Sequence, residues 1–230
     1  MMEIHGLQKL TLLDFPGHVA CTVFLAGCDF RCPFCHNGGL VLGGMAPLMD
    51  DAALLAFLKK RRGLLDGVAI TGGEPLLRRD LRLLLERIKA LGYAVKLDTN
   101  GSHPDALRQL AAAGLVDYVA MDIKNSPARY AATVGVPELD LTPVKESVAF
   151  LLTGAVDYEF RTTAVAEFHD DASFAAIARW ITGAKRYFIQ CFTDRDAVLQ
   201  TGLHAPAEEQ LARWADIVRP FVSAVALRGV

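Results

Sequence analysis

An α/β fold built on a parallel sheet is what this chain of 230 residues predicts, and three observations carry that prediction. Short β-type runs alternate with amphipathic helical patterns of about 10–15 residues, the rhythm of right-handed βαβ crossovers. A hydrophobic fraction of 52% at this length allows burial of roughly 70–75% of the unfolded surface, enough for a full core without disulfides. Each unusual polar cluster follows a β-type run directly, and parallel α/β architectures bind ligands at the carboxyl ends of their strands. Periodicity alone does not separate an open sheet from a barrel.

The β-type runs are residues 19–25, 67–71, 94–98, 118–122, 158–165 and 186–192, with 222–227 a weaker seventh. Helical patterns lie between them at 50–62, 79–91, 104–113, 144–152, 174–181 and 206–217. Lys59-Lys60-Arg61-Arg62 closes the first of these at Gly63. Cations there complement the carbonyl end of the helix dipole, so the run reads as a solvated terminus rather than an anion site. His169-Asp170-Asp171 reads as a strand-to-helix junction with an aspartate cap. No repeat, low-complexity tract or Pro/Gly/Ser-rich linker interrupts the chain, and a single domain over 1–230 is expected.

Charge excludes some functions. With 24 basic and 26 acidic residues the net charge is −2, so no global field favours nucleic acid or a membrane. The opening Met1-Met2-Glu3-Ile4-His5 has no basic region leading into an apolar one, and no apolar run approaches the length of about 18 residues that spans a bilayer. Five cysteines, an odd number, argue for a reducing compartment, so the cytoplasm is the expected location.

The stretch that carries chemistry is Cys28-Asp29-Phe30-Arg31-Cys32-Pro33-Phe34-Cys35, followed by His36-Asn37-Gly38-Gly39. Three thiols on a loop leaving a strand are soft ligands that select iron–sulfur clusters, zinc or Cu(I). A structural zinc site would need His36 as fourth ligand, but such sites usually pair short knuckles across a longer gap, and a fourth ligand adjoining the third is awkward for a tetrahedron. Three unligated core thiols so close together beside Gly and Pro would be an unlikely accident. A four-iron cubane held by Cys28, Cys32 and Cys35 would leave one iron without a cysteine. Cys21 and Cys191 have no suitably spaced partner and read as core residues.

Cys-x3-Cys-x2-Cys with the aromatic Phe34 before its last cysteine resembles the radical S-adenosylmethionine (SAM) superfamily. The longer string from Gly6-Leu7-Gln8-Lys9 through Asp14-Phe15-Pro16-Gly17 to Cys35-His36-Asn37 resembles the glycyl-radical-enzyme activating enzymes. Within them it is closest to the activating proteins of anaerobic ribonucleoside-triphosphate reductase. The resemblance implies a partial (β/α)6 barrel of the TIM-like, radical SAM type whose mouth is the active site. It also implies a [4Fe-4S] cluster on the three cysteines, with SAM chelating the free iron through its amino and carboxylate groups.

Further strand ends supply the rest of the expected pocket. Thr71-Gly72-Gly73-Glu74-Pro75 allows close backbone approach, and Pro75 keeps Glu74 extended; the turn resembles the family's motif for the SAM amino group. Asp98-Thr99-Asn100-Gly101 reads as an Asx turn before Pro104, and resemblance places Asp98 and Thr99 near the amino-acid end of SAM, with a monovalent cation. In Met121-Asp122-Ile123-Lys124 the period of two projects Asp122 and Lys124 to one side, either as an internal ion pair or, by resemblance, with Lys124 on the SAM carboxylate and Asp122 on a ribose or cation. Arg161 resembles an arginine that reaches SAM, with a barrel-interior ion pair as the other reading. Where some pyruvate formate-lyase activating relatives place a histidine, this chain reads Gln190-Cys191-Phe192-Thr193.

The function that the resemblance implies is reductive cleavage of SAM and use of the 5′-deoxyadenosyl radical to install a glycyl radical on a partner, with anaerobic ribonucleoside-triphosphate reductase first. No protein acid or base is expected to be catalytic. Flavodoxin or ferredoxin is the expected electron donor. The alternatives are an activase of a pyruvate formate-lyase-like enzyme, a radical SAM enzyme acting on a small molecule or tRNA, and a plain iron–sulfur carrier, which would need neither the glycine turn nor the Asp-x-Lys pair.

Overall fold

The computed structural model describes residues 2–194 and 198–229. In chain order its elements are β1 (Glu3–Ile4), β2 (Gly6–Thr11), β3 (Ala20–Leu25), α1 (Gly38–Leu42), β4 (Met49–Asp50), α2 (Asp51–Lys60), β5 (Gly67–Gly72), a 3-10 turn (Pro75–Leu77), α3 (Leu81–Ala90), β6 (Ala94–Thr99) and α4 (Pro104–Ala112). There follow β7 (Tyr118–Asp122), α5 (Tyr130–Val134), α6 (Thr142–Leu152), β8 (Asp157–Ala164), α7 (Asp171–Trp180), β9 (Arg186–Cys191), α8 (Glu208–Val218) and β10 (Ala224–Arg228). All seven expected β-type runs are strands, and all six expected helices form.

Eight strands make one sheet in the order β10-β9-β8-β7-β6-β5-β3-β2. Every neighbouring pair is parallel except β2 with β3. Among the described residues no ladder joins β10 to β2. Yet Leu13, Asp14 and Pro16 from the β2–β3 connection line the same interior cavity as Gln190, Arg228 and Gly229 from the other edge. The sheet therefore curls into a partial barrel, which settles the choice that periodicity left open.

The burial pattern follows from the layers. In α3 the apolar Leu81, Leu84, Leu85 and Ile88 form one buried stripe at helical spacing. Trp214 of α8 stacks on Phe174 of α7 at 4.5 Å, clamping those helices together. Caps start two helices where the sequence supplies aspartate: Asp50 accepts from Ala53 N at 2.8 Å, and Asp170 from Ser173 N at 2.7 Å. The barrel interior carries polar residues instead. Glu159, with no exposure, accepts both Arg228 nitrogens at 2.7 and 3.0 Å and the Tyr118 hydroxyl at 2.8 Å. Cys21 is in the core, whereas Cys191, expected there too, is only half-buried because it ends β9 at the rim. No helix among the described residues is long and apolar enough to cross a membrane.

Candidate functional site

The loop leaving β3 is shaped by backbone contacts before any ligand is considered. Gly27 turns it with a positive φ of 95°, Arg31 N donates to Val134 O at 2.8 Å, and Cys35 N donates to Cys32 O at 3.0 Å. Phe30 N lies 3.4 Å from the Cys28 sulfur as a donor. Asn37 anchors the far end, its side-chain amide donating to Gly72 O at 2.7 Å. Burial pushes the Cys28 thiol up to about 12, the Phe30 amide opposing it. Burial likewise raises Cys32 to about 11, with Lys124 opposing. Thiols so placed stay protonated near neutral pH unless a bound cation takes the proton's place.

That donor set fits a cluster better than a single ion. Among the described residues no three His, Cys, Asp or Glu side chains converge to hold one metal ion, whereas a cubane takes each thiolate on its own iron. His36, the fourth ligand that zinc would need, has Nε2 2.8 Å from Thr193 O and its ring stacked on Phe192 at 5.4 Å.

The glycine turn after β5 lies directly on this loop. Gly73 N donates to Leu25 O at 2.8 Å and Glu74 N to Gly27 O at 2.7 Å. A Cβ at position 73 would overlap the Gly27 carbonyl oxygen, and one at position 72 the Leu25 backbone, so only glycine lets the two segments touch. Glu74 is extended as expected, with φ −115° and ψ 106°. Its carboxylate turns away from the cleft, accepting from Leu76 N at 3.0 Å, Thr99 Oγ1 at 2.9 Å and Asn100 N at 2.6 Å. Burial pushes that carboxyl up to about 7 against those three donors. The Glu74 carbonyl accepts from Leu77 N at 3.2 Å.

The inner face of the sheet contributes a ladder of alternating charge. Lys96 pairs with Asp98, Asp98 with Arg161 at 3.1 Å, Arg161 with Asp122 at 2.5 Å, and Asp122 with Lys124 at 2.8 Å. Burial alone would raise both carboxyls, but Arg161 first, and then Lys96 beside Asp98 and Lys124 beside Asp122, hold them below the usual range. Burial would likewise favour a neutral Lys124 amine; Asp122 outweighs it and raises that amine's affinity for its proton. The ion-pair reading of Asp122 and Lys124 holds, and the pair lines the cleft. Of the ladder, Arg161 and Lys124 line the cleft with Asp98 and Asp122, while Lys96 is buried behind them; Lys124 at the end of the ladder is the cation placed to meet an anionic group such as a carboxylate. The monovalent cation expected beside Asp98 and Thr99 is disfavoured, because Lys96 and Arg161 already occupy the Asp98 carboxylate.

One cleft, enclosing ≈ 790 Å³ with its open mouth included, receives every site residue read from the sequence except Glu74 and Pro75, which lie behind its wall. The sequence reading missed Asn37, Asn100 and Thr163, which also line it. Asn37 adjoins the Cys35-His36 pair and Asn100 stands inside the Asp98 turn, so both had a local signal. Thr163, two residues beyond Arg161 on β8, shares its side of the strand by the period of two.

Comparison with known proteins agrees with this geometry. The sequence profile of the Radical SAM superfamily matches residues 22–152. A protein of Methanocaldococcus jannaschii, provisionally named a glycyl-radical enzyme activating enzyme, is 30% identical over 99% of this chain and 96% of its own length. Among solved structures, a domain of pyruvate-formate lyase-activating enzyme from Bacteroides vulgatus superposes with a TM-score of 0.58 at 16% identity, over 71% of this chain and 99% of that one. SuiB of Streptococcus suis, bound to S-adenosylmethionine, superposes with a TM-score of 0.70 at 12% identity, over 90% of this chain and 52% of that one; at such identities the likeness is one of fold.

Proposed function

The chain belongs to the radical SAM superfamily, and on that premise we propose that it is an activase that installs a glycyl radical on a partner enzyme, anaerobic ribonucleoside-triphosphate reductase. The superfamily's cofactors are a [4Fe-4S] cluster and SAM. The observation that carries the activase reading is similarity to an activating enzyme along essentially the whole of both chains. The start of the chain, Gly6-Leu7-Gln8-Lys9 through Asp14-Phe15-Pro16-Gly17, supports the reductase as partner.

In this reading Cys28, Cys32 and Cys35 hold three irons, and Phe34, packed on Phe168 at 5.6 Å, walls the cluster side. Gly72 and Gly73 bring bare backbone to the SAM ammonium, and Glu74 with Pro75 fixes that turn from behind. Lys124 takes the SAM carboxylate. Arg161 holds Asp98 and Asp122 ionised and in place, and Thr99 ties the Asp98 turn to Glu74. When bound, the cofactors supply a one-electron cleavage of SAM and the radical that takes a hydrogen atom; the protein binds, orients and excludes water. No side chain need act as acid or base. Flavodoxin or ferredoxin fits as electron donor, a single domain over 1–230 suffices, and the cytoplasm is the proposed location.

The test is anaerobic incubation of reconstituted protein with reductant, SAM and the reductase subunit. Formation of 5′-deoxyadenosine that rises when the reductase is added supports the reading. Deuterium carried from labelled deoxyadenosine into a small metabolite or a tRNA base, with the reductase left radical-free, overturns it.

A further inference from the structure

We propose that Asn100 is a positioning residue that sets the reduction potential of the cluster at its Cys28 corner, by standing as a hydrogen-bond donor between the Cys28 sulfur and the Asp29 carboxylate. Asn100 is 5% exposed. Its Nδ2 lies 2.8 Å from Asp29 Oδ1 and 3.8 Å from the Cys28 sulfur, so its two hydrogens serve one acceptor each. The amide cannot be turned over: Oδ1 accepts from Ser102 N at 2.9 Å and from the Ser102 hydroxyl at 2.5 Å, which only an oxygen can do. The backbone is pinned as well, Asn100 N donating to the buried Glu74 carboxylate at 2.6 Å.

The need for such a donor comes from Asp29. Its Oδ1 is 3.9 Å from the Cys28 sulfur, and its other oxygen faces His103 Nε2 at 3.4 Å. Once the sulfur is a thiolate, a carboxylate at that range makes each added electron less favourable. A donor shared by both anions offsets the repulsion. Hydrogen bonds to the sulfurs and nearby charge are the means by which proteins set cluster potentials.

This inference rests on Cys28 being a cluster ligand, and the experiment separates the two. Reconstituted wild type, N100A and D29N are titrated electrochemically without SAM, with the reduced cluster followed by electron paramagnetic resonance and iron and sulfide measured in each. N100A is expected to be harder to reduce by at least tenfold in the equilibrium constant, which is 59 mV for one electron. D29N, which keeps an oxygen for Asn100 to reach, is expected to be easier to reduce. If N100A fails to hold a cluster, D29N decides. An N100A potential equal to or above that of the wild type, or a D29N potential equal to or below it, with normal iron content, overturns the proposal and leaves the ligand assignment standing. A wild type that takes up no four-iron cluster overturns the assignment and the proposal together.

Discussion

Replacing Arg161 with methionine removes the centre of the ladder while keeping much of its apolar stem. The wild-type guanidinium bridges Asp98 and Asp122, and these groups retain only 14–23% side-chain exposure. Taking one partner from a buried pair costs about 3–5 kcal/mol. Lys96 and Lys124 still hold one carboxylate each, so the lower end applies. A loss of about 3 kcal/mol in a chain of this size lowers Tm by about 6–12 °C. The sign of the pH dependence follows from the carboxyls. Both are held below their unfolded value, so their contribution is present above about pH 4 and lost as the pH falls through the folded values. Thermal unfolding of the cluster-free protein by circular dichroism should show the full deficit from pH 5 upward and a narrowing one below pH 4. A Tm within 2 °C of wild type at pH 7, or a deficit that stays constant into acid, would show that Arg161 does not stabilise the fold through these carboxylates.

Other perturbations probe the remaining parts. Cys28→Ala, Cys32→Ala and Cys35→Ala should each abolish the four-iron absorbance and SAM cleavage, whereas Cys21→Ala and Cys191→Ala keep both; zinc in place of reconstitutable iron would contradict this. Lys124→Ala should leave the cluster intact and weaken SAM binding by about 1.5–3 kcal/mol, the scale of a charge-assisted contact, and unchanged affinity by calorimetry would reduce Lys124 to its pair with Asp122. Glu74→Gln should cost about 1–3 kcal/mol by leaving a buried donor unpaired. Because burial raises the Glu74 carboxyl to about 7, the wild type should lose stability as pH rises from about 4.3 to 7, a slope that the variant should lack in urea unfolding. Gly73→Ala, whose methyl would overlap Gly27 O, should separate the turn from the cysteine loop, and SAM affinity equal to wild type would show that contact to be dispensable.

What the sequence made legible is what consecutive residues carry. The three cysteines, the glycine turn, the Asp98 turn and the Asp122 and Lys124 pair are each encoded within a few positions after an apolar run, and a parallel sheet brings strand ends together whatever lies between them. Contacts between distant segments had no such mark. Asn100 meets Asp29 across 71 positions, and the Glu74 carboxylate finds Thr99 across 25; nothing in Gly-Gly-Glu-Pro says that its carboxylate turns inward. Lys96 did leave a trace, since the period of two puts it on the side of Asp98, but between Val95 and Leu97 it reads as part of an apolar run. The antiparallel β2 escaped because its burial is one-sided and weak, with Gln8, Lys9 and Leu10 all exposed. Short α5 escaped because five residues ending at left-handed Gly135 show too little of a helical period.

The most direct measurement is electron paramagnetic resonance of the anaerobic ribonucleotide reductase subunit after incubation with this protein, reductant and SAM. A hydrogen taken from a glycine α-carbon leaves a backbone radical whose remaining α-hydrogen splits the signal into a doublet. That doublet is expected, dependent on SAM and on Cys28, Cys32 and Cys35, and it should disappear when the radical glycine of the reductase is replaced by alanine. A reductase that stays radical-free while SAM is consumed would contradict the proposed function.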